Sequence, residues 1–304
     1  MNVLVVGGSG FIGTHLSAEL VDRGHDVTVL SRDPEGEELP ADVDTVMGDV
    51  TAYDSIEGAF EGQDAVVFLV ALSPLFKPKG GNDRHFEVHT EGTRNVVQAA
   101  EDHGVEHIVH MSALGADADG PTAYLKSKGQ AEQVVTGSAL DYVVFRPSVV
   151  FGEGGEFVSF TKRLKGMFAP GLPLYPLPGG GTETRFQPIW VGDLVPMLAD
   201  AIEDEDGEHA DETYEIGGPE VLTLREITEM VYDAEGKSVK IVGLPMGLAG
   251  VGLKTLGALP GFPMGGDQYR SLRIDNTTTR NDIESFGVEA SELTTLGDYL
   301  GTTA

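Results

Sequence analysis

The first thirteen residues constrain the fold of this chain more than any other segment. Asn2–Val6 is an almost continuous apolar run, and the glycine-rich stretch Gly7–Gly13 follows it directly. A strand that helices cover on both faces has such an apolar run. Glycine permits a sharp turn and lets the backbone approach a phosphate closely. The pattern predicts a strand, a tight loop and a helix whose unpaired N–H groups favour an anion.

The spacing of the glycines fits two related dinucleotide-binding patterns. One is Gly8-x-Gly10-x-x-Gly13, and the other is Gly7-x-x-Gly10-x-x-Gly13. Glycine clusters also occur in turns that bind nothing. Here a strand pattern precedes the loop, a helix pattern follows it, and a second strand pattern lies at Asp26–Leu30. This context favours dinucleotide binding over a plain turn.

Strand and helix patterns alternate through the first half of the chain. Such alternation predicts an α/β fold with a parallel, doubly wound sheet. The predicted strands are Val3–Val6, Asp26–Leu30, Thr45–Met47, Ala65–Leu72, Ile108–Met111 and Tyr142–Phe145. The predicted helices between them are Gly13–Arg23, Tyr53–Phe60, Phe86–His103 and Tyr124–Thr136.

The pattern changes after Arg146-Pro147, because residues 152–185 are rich in glycine and proline. Further on, we predict a helix over Asp193–Ile202, a strand over Thr213–Ile216, and a helix over Thr223–Ala234 that begins with a capping box. We therefore predict a Rossmann-type doubly wound sheet and a smaller C-terminal substrate lobe. The nucleotide-binding domain would comprise residues 1–151 and 186–218, and the substrate or partner lobe residues 152–185 and 219–304.

The charge balance restricts the partners of the chain. Asp and Glu together number 49 against 20 Lys and Arg, which gives a net charge of −29. Nucleic acid and anionic membranes are poor partners for such a surface. Molar salt shortens the screening length to roughly 3 Å and relieves the self-repulsion. The composition resembles that of proteins from salt-accumulating halophiles, and the alternative is an ordinary acidic cytosolic protein.

Other features exclude further classes. The chain has no cysteine, which excludes disulfides, iron–sulfur ligation and thiol nucleophiles. Its histidines form no convincing ligand set, so we predict no metal site. No apolar stretch is long enough to span a membrane, and the N-terminus lacks a signal-peptide pattern, which predicts a cytoplasmic location. The apolar segment 244–264 would either line the substrate lobe or contact a partner, a lipid-like ligand or the inner face of a membrane.

Three polar residues have the spacing of a catalytic site. Tyr124 and Lys128 are four residues apart on a predicted helix, so both side chains lie on one face. Ser112 follows the fifth predicted strand, at the sheet edge where ligands bind. A nearby ammonium favours the phenolate and should lower the pKa of Tyr124. The phenolate could then accept a proton from a substrate hydroxyl while hydride leaves for a nicotinamide, and Ser112 could hold the same oxygen.

Several segments resemble one protein family. Besides the glycine loop and the three catalytic candidates, they are Gly48–Val50, Tyr124–Glu132, Arg146–Gly152, Arg185–Asp193, Ile216–Glu220, Asp267–Gln268 and Asp275–Asn276. Together they resemble the extended short-chain dehydrogenase/reductases, the group of NAD-dependent epimerases and dehydratases. They are most similar to an atypical subgroup that contains the nucleotide-binding accessory subunit of respiratory complex I. The resemblance extends in order over nearly the whole chain.

The resemblance implies a role for each matching position. Ser112 and Tyr124 occupy the catalytic positions of active members, and Lys128 would also hold the nicotinamide ribose. The glycine loop would hold the pyrophosphate, the loop after the third strand the adenine, and the segments after the fourth and sixth strands the nicotinamide side. The implied cofactor-binding residues are Gly7, Ser9, Gly10, Phe11, Ile12, Gly13, Asp49, Val50, Leu69, Val70, Ala71, Lys128, Pro147 and Val149.

One position departs from the pattern of NAD-binding relatives. Many of these carry an acidic residue after the second strand to bind the ribose hydroxyls, whereas this chain has Ser31-Arg32. A guanidinium suits a 2′-phosphate. We therefore predict that Arg32 favours NADP(H) over NAD(H), with a solvated loop arginine as the alternative.

The sequence leaves three functions open. The first is an NAD(P)-dependent oxidoreductase or epimerase that acts on an unidentified small molecule, and the Tyr124–Lys128 pair favours it. The second is a non-catalytic nucleotide-binding subunit of a larger complex, which the subgroup-specific segments after residue 185 favour. The third is a sensor of the NADP(H) redox ratio.

Overall fold

A computed structural model describes residues 1–34, 39–169, 171, 174–204, 206–245, 247 and 264–302 of the chain. The chain divides into two compact units. The first unit comprises Met1–Leu72, Gly80–Pro147 and Val191–Glu215, and the second comprises Ser73–Lys79, Ser148–Trp190 and Ile216–Ala304. The domains predicted from the sequence differ from these units at residues 73–79, 148–151, 186–190 and 216–218.

The elements are numbered here in chain order. The strands are β1 (Asn2–Val6), β2 (Asp26–Ser31), β3 (Asp44–Met47), β4 (Ala65–Phe68), β5 (His107–Met111), β6 (Asp141–Pro147), β7 (Val150–Phe151), β8 (Leu174–Pro178), β9 (Arg185–Phe186), β10 (Ile189–Trp190), β11 (Glu212–Ile216), β12 (Leu222–Thr223) and β13 (Lys240–Leu244). The α-helices are α1 (Phe11–Asp22), α2 (Asp83–His85), α3 (Gly92–His103), α4 (Ala123–Thr136), α5 (Glu156–Phe168), α6 (Val191–Ile202), α7 (Leu224–Asp233), α8 (Gly266–Ser271) and α9 (Leu296–Leu300).

The first unit is built on a seven-stranded sheet of order β11-β6-β5-β4-β1-β2-β3. The pairings of β1 with β2 and with β4 are parallel, and Val5 lies opposite Val29 on one side and Val67 on the other. The strand order reverses between β1 and β4. Ligands bind at the carboxyl ends of strands at such a switch point. The glycine loop follows β1 there, and Leu69–Ala71 follow β4.

The apolar runs explain which strands lie in the centre of the sheet. Val3–Val6 and Ala65–Phe68 are buried at every position, as the continuous apolar pattern predicts. The core around them is formed by Phe60, Val96, Ile108 and other apolar side chains. Helix α1 packs against α6, and α3 packs against α4. The predicted α/β fold with a parallel, doubly wound sheet is confirmed.

Three predicted elements of this unit differ from the structure. The predicted helix Tyr53–Phe60 is two 3-10 turns, and the Ser55 hydroxyl bonds to backbone carbonyls there, which competes with a regular helix. Strand β4 ends four residues earlier than predicted, and the N–H of Leu72, the last residue of the predicted strand, bonds to the His89 ring. The predicted helix Phe86–His103 begins earlier, at α2, and is π-helical over Phe86–Glu91.

The second unit has short strands and its own apolar core. Strand β13 pairs in parallel with β8, β7 pairs in parallel with β10, and β9 pairs antiparallel with β12. The core contains Phe151, Phe160, Tyr175 and Ile227, and the Tyr175 hydroxyl donates to the Thr161 carbonyl over 2.6 Å. Helix α5 was not predicted from the sequence, because its glycine-rich surroundings obscured the helical pattern.

Two further predictions concern this unit. The capping box of α7 is confirmed: the Glu226 N–H donates to the Thr223 hydroxyl over 3.2 Å, and the Thr223 N–H donates to the Glu226 carboxylate over 2.7 Å. The segment 244–264, predicted as a lobe lining or a partner or membrane contact, lies almost wholly outside the described residues. Of the helices that the structure describes, none combines the length and the apolar character that crossing a membrane requires.

Candidate functional site

The glycine loop is shaped by close backbone packing. Gly7 has a φ of +88°, and a Cβ there would lie 3.0 Å from the Val70 side chain. At Gly13 a Cβ would lie 2.5 Å from both the Gly7 carbonyl oxygen and the Gly8 Cα, and at Gly8 it would lie 2.6 Å from Val29. At Gly13 the neighbours are backbone atoms, so a larger residue does not fit there without a shift of the loop. Close packing therefore accounts for Gly7, Gly8 and Gly13 of the two glycine spacings, and not for Gly10.

The loop also leaves space and hydrogen-bond donors for an anion. Gly10 is exposed, and apart from its chain neighbours the nearest described atom to a Cβ there would be the Gly7 carbonyl oxygen, at 3.3 Å. Gly10 caps α1 without a side-chain hydrogen bond, and the first turn of α1 has no acidic residue. The first-turn N–H groups of Phe11, Ile12 and Gly13 have no partner within the helix. A pyrophosphate fits this end of α1, where the helix dipole favours negative charge.

The loop after β3 is held by side chains that the sequence did not single out. The Asn95 side chain donates to the Val50 carbonyl over 2.8 Å, and a Cβ on Gly92 would lie 2.9 Å from the Val50 side chain. Both Gly92 and Asn95 lie in α3, which thus fixes the segment that the resemblance assigns to adenine. The only sequence signal was the Gly-x-x-Asn spacing itself, which carries no chemistry without the tertiary contact.

Asp49 is held as a carboxylate beside two arginines. Its Oδ1 accepts hydrogen bonds from the Thr51 N–H over 2.9 Å and the Thr51 hydroxyl over 2.8 Å. Partial burial alone would raise the pKa of Asp49, but these bonds and the charges of Arg32 and Arg84 bring it below its usual value. Arg32 is exposed directly after β2. The charges of Arg32 and Arg84 therefore favour the ionised form of Asp49.

The segment after β4 contacts the glycine loop. The Leu69 N–H still donates to the Val6 carbonyl over 2.9 Å, and the Val70 side chain lies against Gly7. Leu69 and Val70 are half-buried, and Ala71 is exposed. The structure therefore brings these predicted cofactor contacts to the same switch point as the glycine loop.

Ser112 follows β5 directly, and the Lys128 side chain reaches the last residue of that strand. Lys128 is 1% exposed, and its ammonium donates to the Met111 carbonyl over 2.8 Å. Ser112 is 4% exposed, its N–H donates to the Phe145 carbonyl over 2.7 Å, and its hydroxyl has no hydrogen-bond partner among the described residues. An unpartnered buried hydroxyl is uncommon in proteins, and this one is free to bond to a ligand.

The pKa values in this cluster correct one prediction. Burial lowers the pKa of Lys128 to about 8, and the Glu132 carboxylate opposes part of that shift. Burial raises the pKa of Tyr124 to about 12. The predicted lowering of the tyrosine pKa by Lys128 is therefore wrong for this structure. The ammonium bonds to the Met111 carbonyl, and desolvation of the phenolate dominates at Tyr124.

Two histidines that were not predicted as site residues surround Tyr124. The ring of Tyr124 makes edge-to-face contacts with His85 and His89 at centroid distances of 5.8 and 5.5 Å. The two imidazoles lie 5.3 Å apart, as expected for residues that share one helical face. Their spacing of four residues puts them on one helical face, but nothing in the sequence indicates that this face meets the helix of Tyr124.

The last two predicted cofactor residues lie in different units. Pro147 ends β6 in the first unit, is buried, and accepts the Leu114 N–H over 3.0 Å. Val149 belongs to the second unit, where its N–H donates to the Asn276 side chain over 2.8 Å. The Ser148 hydroxyl donates to the same side chain over 2.8 Å. Asn276, within one of the segments that carry the resemblance, thus positions Val149.

Among the residues described, no group of three or more potential metal ligands occurs.

Comparison with known proteins identifies the class. Residues 7–165, just over half of the chain, match a family described as NAD(P)H-binding. The chain belongs to this NAD(P)H-binding family. The matches below also confirm the resemblance to extended short-chain dehydrogenase/reductases and to a complex I accessory subunit.

Two curated relatives illustrate the range of the family. The mitochondrial NADH dehydrogenase [ubiquinone] 1 alpha subcomplex subunit 9 of Arabidopsis thaliana is 29% identical over 252 residues, which cover 81% of this chain and 60% of that protein. The chloroplastic divinyl chlorophyllide a 8-vinyl-reductase of Cucumis sativus is 28% identical over 276 residues, which cover 86% and 63%. The matched region thus spans less than two thirds of the length of either relative.

A solved structure supports the fold. The UDP-glucose 4-epimerase of Thermotoga maritima, determined with UDP-glucose, aligns with a TM-score of 0.73 at 20% identity, over 100% of this chain and 97% of that one. At this level of identity the similarity establishes the fold and not the substrate.

Proposed function

We propose that the chain is an NAD(P)-dependent oxidoreductase or epimerase in which Ser112, Tyr124 and Lys128 form the catalytic site. The observation that carries this proposal is the end of β5, where the buried Lys128 ammonium donates to the Met111 carbonyl and the buried hydroxyl of the next residue, Ser112, has no partner among the described residues. Both groups cost free energy on burial, and an apolar core would not need them. A site that binds a polar ligand does need them.

Different residues would bind the different parts of the cofactor. When bound, the nicotinamide cofactor supplies or accepts hydride. The glycine loop and the start of α1 would hold its pyrophosphate, and Asp49 and Val50 its adenine. Leu69–Ala71, Pro147 and Val149 would line the nicotinamide side, and Lys128 would hold the adjacent ribose.

The proton chemistry follows from the pKa of Tyr124. With a pKa of about 12 the phenol is protonated at neutral pH. It can therefore donate a proton to a substrate oxygen during reduction, and the Ser112 hydroxyl can hold that oxygen. Oxidation requires the phenolate, which a positive charge near the phenol would favour. The reacting carbon of the substrate should therefore carry a carbonyl or hydroxyl oxygen, as a sugar ring does.

We further propose NADP(H) as the preferred cofactor, with NAD(H) as the alternative. Arg32 occupies the place after β2 where an acidic residue would bind ribose hydroxyls. Its guanidinium is exposed and acts on Asp49 together with Arg84. Such positive charge suits a 2′-phosphate and reduces the preference for a plain ribose.

A second candidate function is a nucleotide-holding accessory subunit without turnover, with a redox sensor as a variant of it. The observation in its favour is that the Lys128 ammonium bonds to the Met111 carbonyl, while the Tyr124 phenol has no hydrogen-bond partner within the described part of the chain. In this case the cofactor would stabilise a fold that docks on other subunits.

Copurification and a substrate panel separate the two candidates. The protein should be isolated in multimolar KCl and tested with NADPH or NADP⁺ against aldehydes, ketones, secondary alcohols and UDP-sugars. Turnover of any compound that Ser112→Ala abolishes would support the enzyme. Stoichiometric copurification with other subunits, without turnover of any compound, would support the accessory subunit.

A further inference from the structure

We propose that His89 is a positioning residue that ties the end of β4 to the helix of Tyr124 and Lys128. Each nitrogen of its ring has a hydrogen-bond partner. The Leu72 N–H donates to Nε2 over 2.9 Å, and Nδ1 lies 2.8 Å from the Ser127 hydroxyl. Leu72 follows the predicted cofactor segment after β4, and Ser127 directly precedes Lys128. One imidazole therefore joins two segments of the site that lie far apart in sequence.

The partners determine the tautomer of the ring. A backbone N–H can only donate, so Nε2 must be the unprotonated nitrogen and Nδ1 carries the hydrogen. Nδ1–H then donates to the Ser127 hydroxyl, which in turn donates to the Tyr124 carbonyl over 2.9 Å. The sequence of bonds runs in one direction, from Leu72 through His89 and Ser127 to Tyr124. A protonated imidazole could not take part, since it has no acceptor nitrogen.

The surroundings hold His89 in this neutral form. The residue is 1% exposed, and burial together with the charge of Lys128 keeps its pKa well below its usual value. It lies in the π-helical stretch Phe86–Glu91, and the Thr93 hydroxyl donates to its carbonyl over 2.5 Å. Single π-helical turns inside α-helices often occur at functional sites. The irregular helix thus presents the ring to both partners.

The consequence concerns the cofactor. Leu69–Ala71 are the predicted contacts after β4, and the Leu72 N–H that anchors this segment bonds to no neighbouring strand. Cofactor affinity should therefore depend on the Nε2 acceptor, a step that rests on the proposed role of Leu69–Ala71. The alternative is a satisfied core histidine, whose replacement would change stability and leave affinity per folded molecule unaltered.

Two substitutions of His89 separate the roles of its two ring nitrogens. His89→Gln keeps an acceptor near the position of Nε2, whereas His89→Asn keeps a donor near Nδ1 and leaves Leu72 without a partner. NADPH affinity should be titrated by nicotinamide fluorescence in high KCl, and the exchange of the Leu72 amide should be followed by NMR. We expect His89→Asn to weaken NADPH binding roughly 5- to 100-fold and to accelerate exchange at Leu72. His89→Gln should restore both. His103→Asn, which affects a partly exposed histidine bonded to Glu57, is the matched control and should change neither.

Other results would overturn the proposal. Equal NADPH affinity of folded His89→Asn and wild type would reduce His89 to a core residue. If the variants do not fold, ¹⁵N spectra of the wild type decide, because protonated Nε2 would contradict the bond from Leu72. Should the wild type bind no nicotinamide nucleotide, the proposed function fails. The tautomer of His89 and the slow exchange of the Leu72 amide would still test the two hydrogen bonds of the His89 ring.

Discussion

The glycine loop and the Ser112–Tyr124–Lys128 cluster belong to the same unit but are held in different ways. The loop is fixed by backbone atoms: a Cβ on Gly13 would lie 2.5 Å from two of them. The cluster is fixed by a few buried polar bonds, such as the 2.8 Å bond from Lys128 to the Met111 carbonyl. Substitutions in the loop should therefore act through steric overlap, whereas substitutions in the cluster should change function more than stability.

The largest effect should come from the loop. Gly13→Ala places a methyl group against immobile backbone, so we expect a loss of about 1–3 kcal/mol of unfolding free energy and no measurable NADPH binding. Gly10→Ala is the matched control for overlap, because the nearest described atom to its Cβ, apart from chain neighbours, would lie 3.3 Å away. It should retain the stability of the wild type and lose affinity, since the methyl group enters the space for the pyrophosphate. Equal destabilisation by both, measured by chemical denaturation, would contradict the steric account of the loop.

Salt should act on the whole chain and leave the ranking of these two variants unchanged. The net charge of −29 repels itself at low ionic strength. Between 0.1 M and 2 M KCl we expect the melting temperature to rise by about 5–10 °C, which corresponds to about 2–3 kcal/mol for a chain of this size. A melting temperature that stays constant or falls over this range would be inconsistent with a halophilic surface.

A smaller effect is expected at Arg32, after β2, where we expect charge rather than packing to determine the cofactor affinity. Arg32→Ala should weaken NADPH binding by about 1–3 kcal/mol and leave NADH binding nearly unchanged. Arg94→Ala, which removes an exposed guanidinium paired with Glu91, is a suitable control. Equal affinity of the wild type for both cofactors, unaltered by Arg32→Ala, would remove the argument for NADP(H).

The difference between the two regions also explains how far the sequence could predict the structure. The loop follows from spacing, because glycine is required wherever backbones approach closely, and β1 and β4 follow from continuous apolar runs. The cluster residues could be named from the Tyr-x-x-x-Lys spacing. Their energetics could not be predicted, since the pKa of Tyr124 depends on burial and the lysine in α4 bonds to a carbonyl of β5. His89 and Asn95 were missed for the same reason, because only tertiary contacts give them a role.

The most gradual effect should be a pH dependence of stability that arises from buried histidines near the Ser112–Tyr124–Lys128 cluster. Burial keeps the pKa of His89 and of His110 well below 6.5 in the folded protein. Below pH 6.5 the unfolded chain binds more protons at these residues than the folded chain, so the stability is complete above that pH and is lost as the pH falls. Each histidine should contribute up to about 1.4 kcal/mol per pH unit.

Chemical denaturation between pH 7.5 and 5 in constant KCl checks this contribution. Both ring nitrogens of His110 are buried without a partner in the described part of the chain, and the ring stacks on Phe68. His110→Phe should therefore remove one histidine's share of the slope and should not destabilise the fold. The Gly10→Ala variant should keep the full slope. An unchanged slope in His110→Phe would refute the assignment.

The central claim is that Tyr124 is a working acid and not a residue retained without a function. The most direct test compares Tyr124→Phe with the wild type, using the compound that the substrate panel identifies and measuring turnover and NADPH affinity in the same preparation. The phenol has no hydrogen-bond partner among the described residues, so its loss should leave the fold and the cofactor affinity nearly unchanged. A general acid typically contributes 10²- to 10⁴-fold, so turnover should fall by at least about 100-fold. Turnover that Tyr124→Phe leaves intact, or a wild type that binds NADPH and turns over no compound of the panel, would contradict the catalytic account.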